Sequence, residues 1–180
     1  MSVLVRLAQP GEYEFVGKLT VRAYDTLAVD HLWGGYDADI LDTATRAEHS
    51  EVLVAVVDDH VVGSVTYVGD ESSPWSEWTE PGEAQFRLLA VAPEARGRRI
   101  GEALVRACLE RARDTGRTVV IHTTPWMPAA RAMYERLGFT RRPERDVPYE
   151  AWNEPPVDAL PPEWVGQAFL AYSRSAPAGS

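Results

Sequence analysis

The sequence contains a single cysteine, Cys108, in 180 residues. One thiol excludes an internal disulfide framework and any metal site built from several cysteines, and it fits a reducing compartment. Histidine is also scarce, and the four histidines lack the spacing of metal ligands: His31, His49, His60 and His122. We therefore expect no metal cofactor.

Long apolar runs are missing as well. No stretch of the sequence has the length of a bilayer-spanning helix. The first residues do not combine a basic region with the apolar region of a secretory signal. We therefore expect a cytoplasmic protein that does not act at a membrane.

The sequence has fewer basic than acidic residues, with 18 Lys and Arg and 27 Asp and Glu, which gives a net charge of −9 at pH 7. This balance disfavours non-specific binding of nucleic acid and favours cationic or amine-bearing partners. The chain is 45% hydrophobic and 25% charged, which is typical of a globular domain. Its length predicts one domain over residues 1–174, followed by a flexible tail at 175–180.

Hydrophobic periodicity predicts alternating strands and helices, hence an α/β fold. The predicted strands cover residues 3–7, 52–57, 61–68, 85–91, 119–123 and 168–173, with a hairpin turn at 58–60. One predicted helix begins after Pro10-Gly11. Three further helices are predicted over residues 36–50, 99–115 and 128–137. Two long connections, residues 69–83 and the proline-rich residues 141–162, are predicted to be irregular.

The turn between the strand at 85–91 and the next helix is the most informative segment, Arg96-Gly97-Arg98-Arg99-Ile100-Gly101. A helix start presents free N–H groups, glycine admits a ligand close to the backbone, and arginines pair with phosphate oxygens. The turn therefore predicts a polyphosphate site, the alternative being a solvated basic helix start. It lacks the glycine patterns of nucleoside-triphosphate loops and dinucleotide-binding turns, which excludes both classes.

A second motif lies at the end of the helix at 128–137 and reads Tyr134-Glu135-Arg136-Leu137-Gly138-Phe139. With the arginine-rich turn before it, the sequence resembles the GCN5-related N-acetyltransferase (GNAT) superfamily, best over residues 52–139. The turn corresponds to the pyrophosphate motif of that family, and the second motif to its Tyr-Glu-Lys-Leu-Gly-Phe signature. Arg99 replaces the first motif glycine, and Met127 stands where many members have an asparagine. We expect Arg99 in right-handed helical geometry, which leaves its N–H available to a phosphate.

The resemblance implies a GNAT-like acyl-CoA N-acyltransferase fold, with a mixed, mostly antiparallel central sheet flanked by helices. It implies direct transfer of an acetyl group from acetyl-CoA to a primary amine of a small molecule or peptide. Tyr134 would then be the general acid, and a phenol with a pKa of about 10 can protonate a departing thiolate; the alternative is that it only packs. The implied cofactor-binding residues are Leu89, Ala90, Val91, Arg96, Gly97, Arg98, Arg99, Ile100, Gly101 and Tyr134.

The general base is not given by the resemblance, because many relatives carry glutamate where this sequence has Gln85. An amide does not accept a proton usefully at neutral pH. Glu83, two residues earlier on the same strand face, is our first candidate. A water relay from Glu83 or His122 is the alternative. Cys108 lies on an apolar helical stripe, so we expect it in the core rather than as a nucleophile.

The acceptor site is predicted from tryptophans, which fall mainly in the connections, and we assign Trp33, Trp75, Trp78 and Trp126 to it. Indole rings beside acidic residues can hold an organic cation, although the rings could equally pin loops to the sheet. Three departures from the family pattern keep a second function open, a non-catalytic acyl-CoA sensor or interaction module. A longer acyl donor and a homodimer also remain open.

Overall fold

The computed structural model describes residues 2–26, 36–151 and 167–175. The strands within these residues are β1 (Leu4–Leu7), β2 (Glu51–Val57), β3 (His60–Val68), β4 (Glu83–Val91), β5 (Thr118–Thr123), β6 (Thr140–Arg141), β7 (Val147–Pro148) and β8 (Ala168–Arg174). The α-helices are α1 (Tyr13–Asp25), α2 (Tyr36–Leu41), α3 (Thr43–His49), α4 (Ile100–Asp114) and α5 (Pro128–Arg136). None of the helices in this part of the chain combines the length and apolarity needed to cross a bilayer.

The strands form one sheet in the order β1-β2-β3-β4-β5-β8-β6, with β7 added on β8. All pairs are antiparallel except β4 with β5. Strands β2 and β3 form the predicted hairpin, whose turn residues Asp58 and Asp59 have φ values of 49° and 62°. Such left-handed pairs match the twist of the flanking strands. The expected mixed, mostly antiparallel sheet is confirmed.

A gap opens between β4 and β5. The two strands pair only at Glu83 with Thr118, Ala84 with Val119 and Gln85 with Val120, after which they separate. On its other side β5 stays paired with β8 from Val119 to Thr123. The sheet is therefore continuous at one end of β4 and open at the other.

A bulge deforms β4 beside this gap. Leu88 has a φ of 52°, and the register with β3 shifts opposite it, between Ser64 and Thr66. A leucine in the left-handed region is uncommon, and a bulge increases the local bend of a strand. The bend turns the second half of β4 away from the direction of β5.

Helix α4 covers one face of the sheet with the apolar stripe that its sequence predicts. Ile100, Leu104 and Cys108 are buried in the main core, where Leu19 of α1 and Tyr134 of α5 join them. The expectation that Cys108 belongs to the core is confirmed. Because α4 packs directly on β3 and β4, its first turn lies at the open end of β4.

Two secondary-structure predictions need correction. The single helix predicted over residues 36–50 is wrong, because Asp42 interrupts it: its Oδ1 accepts the Thr45 N–H at 3.0 Å and caps α3. The buried Arg46 side chain donates to the Asp39 carbonyl at 2.7 Å and bridges the break. The predicted irregular stretch at 141–162 contains β7 and two 3-10 turns, Pro143–Arg145 and Tyr149–Ala151, before residues 152–166, which lie outside the described residues.

Candidate active site

A cavity of about 710 Å³ occupies the gap between β4 and β5. Alternate β4 residues face opposite sides of the sheet. The Phe86 ring lies 5.8 Å from that of Tyr134 on the α5 side, while the Gln85 and Arg87 side chains bond the connection at 69–82. All four of these side chains line the cavity, which therefore passes through the sheet.

The arginine-rich turn forms one end of this cavity. The turn residues that line it are Arg96, Gly97, Arg99, Ile100 and Gly101, whereas Arg98 is exposed outside it. Arg99 is the N-cap of α4 and has a φ of 58°, so the expected right-handed geometry at this residue is wrong. Left-handed backbone is what glycine adopts at least cost, which explains why a glycine suits this position.

Arg96 fixes the turn to the end of α1. Its Nη2 donates to the Ala23 carbonyl at 2.9 Å and to Thr26 Oγ1 at 2.8 Å. The side chain thus satisfies the last turn of α1, where carbonyls lack helical partners. Arg96 holds the turn in place, and Arg99 and Arg136 are further cationic side chains that line the cavity near the start of α4.

The second half of β4 follows the turn along the cavity. Leu89, Ala90 and Val91 all line it. Ala90 and Val91 pair with β3, and β5 does not pair with this part of β4. The strand edge toward β5 therefore presents backbone groups that a bound molecule can use.

Tyr134 lies where the cavity meets the core. Its ring is buried between Phe86 and Phe139, each with its centroid 5.8 Å away. Burial raises the pKa of this phenol above its usual value. The hydroxyl is therefore protonated at neutral pH.

Glu83 is placed differently from our expectation. Its carboxylate accepts from Arg145 Nη1 at 2.5 Å and Nη2 at 3.0 Å, and the Glu80 N–H donates to it at 2.8 Å. Glu83 is nearly buried and does not line the cavity. A carboxylate stabilised by this pairing and separated from the cavity is poorly placed to accept a proton from a substrate, which argues against Glu83 as the base.

His122 lines the cavity on β5. Its Nε2 lies 3.2 Å from the Arg145 carbonyl, which can only accept, so we assign the ring proton to Nε2. The buried Nδ1 then carries a lone pair and has no hydrogen-bond partner in the described structure. Burial lowers the pKa of His122 to about 4, so the ring is neutral at physiological pH.

A carboxylate absent from our predicted site also lines the cavity, that of Glu77 in the connection at 69–82. The Gln85 amide accepts from the Glu77 N–H at 3.1 Å and donates to its carbonyl at 3.2 Å. Arg87 bonds Glu77 Oε1 at 2.9 Å and the Trp75 carbonyl at 2.9 Å. Gln85 thus has a structural role here, holding a neighbouring carboxylate at the cavity.

The four tryptophans that we assigned to the acceptor site do not all lie at the cavity. Trp78 and Trp126 line the cavity, Trp75 contributes its carbonyl to Arg87 but does not line it, and Trp33 lies outside the described residues. Phe169 of β8 also lines the cavity, and no local pattern in the sequence indicated it. In the ranges that the structure describes, no group of three or more histidine, cysteine or acidic side chains could hold a metal ion.

The sequence matches the acetyltransferase (GNAT) family over residues 16–139. It is 34% identical over 120 residues to a mycothiol acetyltransferase of Acidothermus cellulolyticus, covering 57% of this chain and 35% of that protein. It is 34% identical over 111 residues to N-acetyltransferase 8F1 of Rattus norvegicus, covering 60% and 47%. The chain therefore spans between a third and a half of the length of these curated relatives.

The fold also matches solved structures. The Salmonella typhimurium protein yncA, solved with its cofactor acetyl-CoA, superimposes with a TM-score of 0.69 at 16% identity. The match covers 100% of this chain and 97% of that one. At this identity the likeness shows a shared fold.

Proposed function

Because this chain belongs to the acetyltransferase (GNAT) family and is an acyltransferase, we propose that it transfers an acetyl group from acetyl-CoA to a primary amine. The observation that carries the proposal is the continuous cavity, which joins the start of α4, the open edge of β4 and the Tyr134 phenol. An anion site, a strand edge and a proton donor in one space are what a thioester of CoA requires.

The donor lies along the turn and β4 in this proposal. The pyrophosphate is bound by N–H groups at the start of α4, where the helix dipole is positive, and by Arg99. The pantetheine arm follows Leu89, Ala90 and Val91 and hydrogen-bonds to the strand edge that β5 leaves open. The thioester then reaches the gap beside Tyr134.

The reaction is a direct transfer. The amine nitrogen attacks the thioester carbonyl, a C–N bond forms, and the C–S bond breaks as the thiolate takes the Tyr134 proton. The nitrogen loses a proton to a water molecule in the cavity, and the phenol regains one from solvent. An acyl-enzyme is not needed, and Cys108 is buried in the core with its thiol pKa raised by burial.

A calorimetric titration with acetyl-CoA tests the donor site. Arg99→Glu and Arg98→Glu change the charge of the same turn equally, but only residue 99 lines the cavity. We expect binding by the wild type, at least tenfold weaker binding by Arg99→Glu, and a much smaller effect of Arg98→Glu. No binding by the wild type would refute the proposal.

Turnover is measured next, as thiol release from acetyl-CoA with a panel of primary amines. Release that depends on an amine, together with its acetylated product, is expected. Tight binding without turnover of any amine would instead support the non-catalytic acyl-CoA sensor.

A further inference from the structure

The end of the cavity away from the arginine-rich turn has aromatic walls. Trp78, His122, Trp126 and Phe169 line it. The Trp78 ring lies 5.0 Å from that of His122 and 5.3 Å from that of Phe169. Tyr149 lies behind them, 4.6 Å from Phe169 and 5.6 Å from Trp126. These ring contacts join β5, β8, the connections at 69–82 and 124–127, and the 3-10 turn Tyr149–Ala151 into one wall.

Trp78 has a backbone conformation that is unfavourable for a large residue, and contacts with its surroundings hold it there. Its φ is 55°, in the left-handed region that a large side chain rarely occupies. Its carbonyl accepts from Arg145 Nη2 at 3.1 Å, and the same guanidinium is paired with Glu83. A strained residue that its surroundings fix, with its ring at a cavity, is a typical feature of a binding site.

The charges along the cavity are unevenly distributed. Its described cationic side chains, other than Arg87, lie at the donor end, and Arg87 is paired with Glu77. The described acidic side chains that line it are Glu77 and Glu102, and Glu102 belongs to the first turn of α4, paired with Arg106. Among the described side chains, the aromatic end therefore carries the Glu77–Arg87 ion pair and a neutral imidazole, and it lacks the excess of positive charge that a phosphate requires.

We infer that the acceptor is a monoamine carried on an aromatic ring, with the ring against Trp78, Trp126 and Phe169 and the ammonium group near Glu77. This inference rests on the proposed function, because it assigns the second substrate of the same cavity. Ring faces and edges at this end pack best with another flat ring. The Glu77 carboxylate, whose Oε1 is bonded to Arg87, can accept a further hydrogen bond from one ammonium group, and the tryptophan rings add cation–π attraction.

The test compares kcat/KM for thiol release with 2-phenylethylamine, 2-cyclohexylethylamine, spermidine and a lysine-containing peptide. We expect 2-phenylethylamine to exceed spermidine and the peptide by at least tenfold, and to exceed its saturated analogue severalfold. A preference for spermidine or the peptide would overturn the inference and leave the proposed function intact. Acetyl-CoA binding without turnover of any amine would overturn both.

Variants test which residues determine the selectivity for aromatic amines. Trp78→Leu is expected to lower kcat/KM for 2-phenylethylamine at least tenfold and that for methylamine much less. Trp75→Leu is the matched control, because Trp75 belongs to the same connection but does not line the cavity.

Glu77→Gln keeps the size of the side chain and is expected to raise the KM for 2-phenylethylamine about tenfold with little change in acetyl-CoA affinity. Equal losses in Trp78→Leu and Trp75→Leu would overturn the assigned contact, and the wild-type ranking of amines does not depend on how any variant folds.

Discussion

The two ends of the cavity are built in different ways. The donor end is built around two segments that are close in sequence, the turn at 96–101 and the adjoining part of β4, with residues of α1 and α5 beside them. The acceptor end consists of residues from the connections at 69–82 and 124–127, from β5 and from β8. Polar contacts of Gln85, Arg87 and Arg145 hold these segments together.

This difference distinguishes a donor site that many sequences can share from an acceptor site that is particular to this chain. A backbone site tolerates many side chains, so a helix start and an open strand edge can bind the same donor in many sequences. A side-chain site changes with each substitution. The donor end therefore indicates the reaction, and the acceptor end indicates the substrate.

The largest expected effect lies where the two ends meet. Tyr134→Phe removes the proposed proton donor and keeps the buried ring, so kcat should fall about 100-fold or more. The affinity for acetyl-CoA should change less than twofold. Tyr172→Phe is the control, because its ring is buried near that of Tyr134 but it does not line the cavity. A kcat near that of the wild type in Tyr134→Phe would remove the phenol from the mechanism.

The second prediction disrupts the acceptor end alone. Arg145→Met leaves the Glu83 carboxylate nearly buried without its cation, and we expect a loss of about 3 kcal/mol in the free energy of unfolding, measured with denaturant. The amine KM should rise, while acetyl-CoA affinity stays within about twofold. Arg142→Met is the matched control, since the Arg142 pair with Glu144 is exposed and its loss should change the free energy of unfolding much less. Equal losses of affinity for both substrates would show that the two ends are not independent.

The third prediction concerns pH. The pKa of His122 is lowered to about 4, so between pH 4 and its ordinary value near 6.5 the unfolded chain binds more protons than the folded one. His122 therefore contributes a loss of stability as pH falls through this window, up to about 3 kcal/mol.

Unfolding free energies at several pH values check this contribution. The charged groups around the ring are Arg145, Asp146 and Glu83, and the two carboxylates also titrate toward low pH, so wild type and His122→Asn are compared at each pH. The wild type should lose more stability between pH 6.5 and 4. His60→Asn, at an exposed hairpin turn, is the control. Identical pH dependence in wild type and His122→Asn would exclude the contribution.

The smallest effect is expected at the donor end. Arg99→Gly relieves the left-handed strain but adds flexibility to the unfolded chain, so stability should change by less than about 1 kcal/mol. Acetyl-CoA affinity should fall severalfold, because one phosphate-pairing side chain is lost. Arg98→Gly, outside the cavity, should leave that affinity nearly unchanged. Equal effects of the two changes would remove Arg99 from the site.

The sequence predicts the fold well, because the fold depends on local patterns. The hairpin, the apolar stripe of α4 and the turn with its glycines are all encoded in neighbouring residues. The left-handed geometry of Arg99 was missed because an arginine gives no signal for it.

The acceptor end depends on contacts that no local pattern encodes. Glu83 pairs with Arg145, 62 residues later in the chain, and this contact separates its carboxylate from the cavity. The Glu77 carboxylate reaches the cavity only because Gln85 and Arg87 hold its segment. Periodicity identifies which face of β4 these residues occupy, but not which partner they find across the sheet.

The gap between β4 and β5 also connects ligand binding to the hydrogen exchange of backbone amides. Three residue pairs join these strands, and none of the described strands pairs with the rest of β4 on that side. A molecule in the gap supplies the missing partners and slows exchange along residues 86–91. Binding to the folded chain alone also raises its stability, by about 2.7 kcal/mol when the ligand is at 100 times its Kd. The sheet of the described residues is thus interrupted between β4 and β5, and in our proposal the acetyl-CoA donor pairs with the edge of β4 at this interruption.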